Sequence, residues 1–203
     1  IVYDSYNDPV FNSSVKRWHF DAIGVAKAWG ITKGSKEITI AIIDDGFDLM
    51  HEDLRKNIVK PWNVKKQNDN IFSIGDTSHG THVAGLAIAS QNNFKGTSGI
   101  APNCSFMPIQ IGSDHNGFSS LSIIEGVLYA INSSADVINL SIAKYFPIEV
   151  LRLPYEDQIK LKNSISLDEA LFWNELFEMA DKKNISIALA AGNQNILVGI
   201  DAM

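Results

Sequence analysis

Four short, apolar, β-branched runs constrain this chain more than any other feature: EITIAII (37–43), SFMPIQI (105–111), DVINLSI (136–142) and ISIALAA (185–191). Each reads as a buried strand. Between them, 79–90 and 122–132 carry helical spacing, the second opened by a Ser122/Glu125 capping box. A further helix is expected at 167–183, capped by Ser166 and Glu169. This βαβα order predicts an α/β fold, a mostly parallel sheet with helices on both faces. In such sheets, sites gather where the strands end at their C-terminal edge.

Two stretches lie outside that alternation. Residues 1–36 hold no strong strand and are expected to wrap the surface, and 144–166 reads as a polar insert with two prolines. With 203 residues, no internal repeat and no low-complexity linker, the chain reads as one domain. A net charge of −6 and the lack of any long Lys/Arg block argue against nucleic acid as a partner. No apolar run approaches a membrane span. Cys104 is the only cysteine, which excludes an internal disulfide, and its setting in APNCSF suits a buried thiol.

The chemistry collects at strand ends. The first strand runs into Asp44-Asp45-Gly46, and the last into Gly192-Asn193-Gln194-Asn195. Taken singly, each is a good turn, and His79-Gly80-Thr81-His82 alone could be a helix start with a core histidine. An aspartate, a histidine and an asparagine at three corresponding sheet positions form a pattern that turns do not explain. His82 shares a helix face with His79 and is expected to have a packing role. H-x-x-H with nearby carboxylates also raises zinc, but the i, i+4 spacing and intervening Glu of a zinc protease are missing.

IIDDGFD (42–48) followed by HEDL (51–54) resembles the aspartate motif of the subtilases, the subtilisin-like serine proteases. SHGTHVAG (78–85) is similar to their histidine motif almost letter for letter. SGIAPNCSFMPIQI (98–111), ADVINLSI (135–142) and AAGN (190–193) follow in the family's order. NDPVF, RWHF and the DDG pair resemble the kexin branch. HGTHVAG, with no Cys after its second His, is nearer the subtilisin branch.

The resemblance implies a three-layer subtilisin-like fold and a serine endopeptidase acting through an Asp-His-Ser triad. In that reading Asp44 orients His79, and His79 takes the nucleophile's proton. Asn193 donates to the oxyanion of the tetrahedral intermediate. Ser141, Ile142 and Ala143 would form the strand that pairs with a polypeptide substrate. Family members usually have glycine at positions 143 and 144, where this chain has Ala143 and Lys144. Asp45 matches a position where kexin-like members meet a basic substrate residue. Asp53 falls on a structural calcium-ligand position, with Asn93 in the loop that would complete it.

The nucleophile does not appear in this scheme. Subtilases carry it in a G-T-S-M-A-type motif at a helix start well beyond the oxyanion asparagine, and Asn193 is followed by only ten residues. Gly96-Thr97-Ser98 is a tempting substitute, but GIAP follows it and no helix start does. Residues 1–203 are therefore expected to be the N-terminal portion of one catalytic domain, fold-incomplete at the C-terminus. The serine would come from a C-terminal fragment of the same protein. The alternative is a catalytically inactive, peptide-binding relative. By resemblance the protein is secreted or otherwise exported.

Overall fold

The computed structural model describes residues 5–72, 79–112, 117–143, 147–165 and 167–193, without the side chains of 162–165 and 167–169. A 3₁₀ turn (Pro9–Asn12) and two short helices, α1 (Trp18–Ala22) and α2 (Val25–Trp29), precede strand β1 (Thr39–Asp44). Then come β2 (Trp62–Asn63), α3 (His79–Ile88), β3 (Ser105–Gln110), α4 (Ser120–Asn132) and β4 (Val137–Leu140). Helices α5 (Ile148–Leu151), α6 (Tyr155–Ile165) and α7 (Leu167–Lys182) lead to β5 (Ser186–Leu189).

The five strands are parallel in the order β2-β3-β1-β4-β5. Alternate side chains of a strand leave opposite faces, so β1 divides its apolar residues between two layers. Ile42 packs with Phe47, Phe106, Ala84 and Ile88, on the α3 side. Ala41 and Ile43 pack with Ile109, Val127, Ile131 and Trp173, beneath α4 and α7. This is the expected three-layer α/β arrangement. Gly126 lets α4 lie close to the sheet, since a Cβ there would meet Ile43, Ile111 and Ile109 at 3.1–3.4 Å.

Several expectations are corrected. The cap of α4 is Ser119, whose hydroxyl accepts from the Ser122 amide while the Ser122 hydroxyl accepts from the Ser119 amide. Ser122 is thus the third residue of the helix, not its cap, and Glu125 takes no part in the box. The Ser166/Glu169 box lies outside the described residues. Strand β2 carries only two residues, too few for a pattern to reveal. The first 36 residues do more than wrap the surface, for they bring an aromatic cluster of their own. Phe11, Phe20, Val25 and Trp29 pack together, and the Trp29 indole donates to the Ile100 carbonyl at 2.7 Å. Within 144–166 the described residues form α5 and α6. Cys104 is buried, as expected.

Candidate active site

Asp44 is the last residue of β1, and only 2% of its side chain is exposed. Its Oδ1 lies 2.8 Å from Nδ1 of His79, the first residue of α3, whose side chain is half exposed. The Asp45 amide also donates to Asp44 Oδ1, at 2.8 Å. Among the described residues, the buried Oδ2 has no partner. Burial pushes the Asp44 carboxyl up to about 6, against the pull of its bonds to His79 and the Asp45 amide.

Gly80 makes this approach possible. A Cβ there would stand 2.4 Å from the Gly46 carbonyl oxygen and 2.9 Å from Asp44 Cβ. Only a residue without a side chain lets the start of α3 seat against the turn after β1. Asp45 bridges the same junction, with Oδ1 accepting from the amides of Gly46 at 2.7 Å and Gly80 at 3.2 Å. Its expected role toward substrate therefore meets a carboxylate already bonded within the protein.

A buried acid bonded to one ring nitrogen leaves the other nitrogen of a half-exposed histidine available to take a proton. This is the geometry of an oriented general base. Ligand atoms of Asp44, Asp45 and His79 also lie within 4.8 Å of one another, close enough to hold a cation.

The other expected residues fall in two places. Ser141, Ile142 and Ala143 continue β4 beyond its last pair, Leu140 with Leu189, and lie outside any strand. Asn193 is exposed and follows β5. Because the strands are parallel, these residues and Asp44 occupy the same C-terminal edge. Lys144 lies outside the described residues. Ser98 is fully buried and its hydroxyl accepts from Gln91, which removes it as a nucleophile. His82 is exposed and lines a cavity of about 590 Å³ with His19, His51 and Leu86. Its expected packing role is corrected accordingly.

Asp53 and Asn93 meet in a separate place, the Asn93 amide donating to Asp53 Oδ1. Asp53 is 2% exposed and faces Gly96 so closely that a Cβ there would lie 2.4 Å from its Oδ2. Lys95 turns away to pair with Glu52. Sequence reasoning passed over Asp8. Its fully buried carboxylate accepts from the amides of Asn92 at 2.8 Å and Asn93 at 2.9 Å. Its only signal was an Asp-Pro pair opening a 3₁₀ turn, which any surface turn can show.

Comparison with known proteins adds three findings. The subtilase family profile matches residues 35–202. A thermophilic serine proteinase of Bacillus sp. (strain AK1) is 43% identical over 57% of this chain and 28% of its own length. Thermitase of Thermoactinomyces vulgaris is 35% identical over 67% of this chain and 47% of its own. The chain thus spans less than half the length of these relatives. Among solved structures, fervidolysin of Fervidobacterium pennivorans, a keratinolytic enzyme related to subtilisin, superposes with a TM-score of 0.65. That match is 25% identical and covers 93% of this chain and 26% of the other.

Proposed function

The chain belongs to the subtilase family, whose relatives here are serine proteases, and from that premise we propose that it is the N-terminal portion of a serine endopeptidase domain. The observation that supports this most directly is the 2.8 Å contact between Asp44 and His79 at the C-terminal edge of a parallel sheet. Asp44 holds the Nδ1 proton and stabilises the imidazolium, while Nε2 of His79 takes the proton of a serine hydroxyl. The serine belongs to a segment beyond residue 203, a C-terminal fragment of the same protein. Asn193 stands at the same edge as an oxyanion donor. Helix α3 contains no Asp, Glu, Lys or Arg, yet leaves Leu86 36% exposed, as suits a helix that further chain covers.

The substrate is an extended polypeptide laid along 141–143, where the chain leaves the sheet with Ser141 held by the Asn139 amide at 2.9 Å. Residues 144–166 are an insert that follows this stretch in the chain. The Asp53 carboxylate is an oxygen donor of the type calcium takes, and the Asn93 side chain would join it only by turning its oxygen away from the Lys95 amide, from which it now accepts. Calcium would brace the 92–96 loop and take no part in the chemistry. Export from the cytoplasm is the setting the reading implies.

The test is peptide hydrolysis by the protein complete with its C-terminal segment. A serine-directed phosphonylating reagent should abolish it, and His79→Ala should lower kcat by about 10⁶, the scale measured in subtilisin. Peptide binding without cleavage would replace the reading with that of an inactive relative.

A further inference from the structure

We infer that Asp45 is a positioning residue for His79, and that its carboxylate serves the geometry of the base and not the side chain of a substrate. The inference rests on the protease reading for its kinetic consequence, but not for its geometry.

His79 is the first residue of α3, and no charged side chain lies on that helix to fix its start. The opening amides of a helix have no partner within it, so they need an acceptor from elsewhere. Asp45 Oδ1 supplies one for Gly80, the residue next to the base, and bonds the Gly46 amide with the same oxygen. One atom thus ties the turn after β1 to the start of α3. The backbone amide of Asp45 meanwhile donates to the very oxygen of Asp44 that holds His79 Nδ1. Side chain and amide of a single residue therefore reach the amide next to His79 and the carboxylate of Asp44. A negative charge at a helix N-terminus is favourable as well. A carboxylate bridging two amides is poorly placed to swing toward an incoming basic side chain without releasing α3.

This geometry separates two substitutions that a substrate contact would treat alike. Asp45→Asn keeps an Oδ1 acceptor, whereas Asp45→Ala removes it. In the complete protein, Asp45→Ala should lower kcat about ten- to a hundredfold for every peptide, since small misplacements of a base cost that much. KM should stay within about threefold, and Asp45→Asn should retain most of the activity. Equal loss in both variants, carried by KM and confined to peptides with a basic residue, would overturn the inference. So would unchanged kcat in Asp45→Ala.

A second measurement needs no turnover. The low-field proton signal of the Asp44–His79 hydrogen bond, read by NMR on the complete protein, should persist in Asp45→Asn and vanish in Asp45→Ala. Core methyl signals of Ile42 and Ile88 serve as the folding control. Should Asp45→Ala fail that control, Asp45→Ser, which retains an oxygen acceptor on a shorter side chain, should keep a weakened signal. A signal unchanged in Asp45→Ala sinks the inference, whatever the kinetics show. A complete protein that cleaves nothing would sink the protease reading instead, and leave the NMR result to decide this one.

Discussion

Asp44 is asked to be buried and charged at once, and its proton affinity records the conflict. Burial carries the carboxyl from 3.8 up to about 6, although His79 and the Asp45 amide both bond the ionised form. Between those two values the folded chain holds a proton that the unfolded chain has released. Stability from this group is therefore complete below the unfolded value and is lost as pH rises through about 6. The loss is no more than about 3 kcal/mol. Asp44→Asn, neutral at every pH, should escape it. Urea midpoints should show the variant more stable than the parent at pH 8, with the difference gone by pH 4. On the proposed protease reading, the same substitution should cost the complete protein about 10⁴ in kcat, because an amide can hold His79 in the wrong tautomer. A variant no more stable than its parent at pH 8 would remove the argument. At this scale the residue types were legible, for Asp44 and His79 sit in motifs of their own. What the sequence could not show was how Asp45 joins the two. That one Asp45 oxygen reaches Gly46 and Gly80 depends on how closely a strand end and a helix start approach.

Two helices show how elements are set by their first residues. In α3, Gly80 has no room for a side chain, with the Gly46 carbonyl 2.4 Å from an ideal Cβ, while Gly85 would meet only Thr97, at 3.8 Å. Gly80→Ala should destabilise by about 1–3 kcal/mol and displace His79 as the helix moves outward. Gly85→Ala, in the same helix, should be neutral or stabilise by up to about 1 kcal/mol through helix propensity alone. Thermal unfolding of the pair checks both, and equal effects would mean that packing around Gly80 relaxes. In α4, Ser119→Ala should cost about 1 kcal/mol and Glu125→Ala very little, since the cap is Ser119. The box expected at Ser122 and Glu125 matched the right motif three residues late. Serines at 119, 120 and 122 all offer a cap, and only the path of the incoming chain selects among them. Strand identities were easier to read. ISIALAA was legible as a strand but not as a buried one, for β5 orders only four of its residues and, at the end of the sheet order, leaves Leu189 40% exposed.

At the scale of the whole molecule, one loop joins three parts. Residues 92 and 93 give their amides to Asp8 of the N-terminal arm, Asn93 bonds Asp53 beyond β1, and Gly96 leads into the chain toward β3. Asn92, Phe94 and Gly96 all hold positive φ, an expensive conformation for a phenylalanine that is 75% exposed. A cation seated on Asp53 and Asn93 would brace this loop, and through Asp8 the arm that carries the aromatic cluster. Binding to the folded state alone stabilises by about 2.7 kcal/mol at a hundredfold excess over Kd. For a chain of 203 residues that corresponds to a rise in Tm of roughly 5–10 °C. Calcium added to the chelator-treated protein should produce such a rise, and magnesium should not, because calcium accepts an irregular shell of oxygens whereas magnesium demands a near-ideal octahedron. Asp53→Asn should abolish the response, and Asp8→Asn should reduce it by loosening the loop. A Tm indifferent to calcium would leave Asp53 with a purely structural duty, to hold the Asn93 amide and the Ser90 backbone in place.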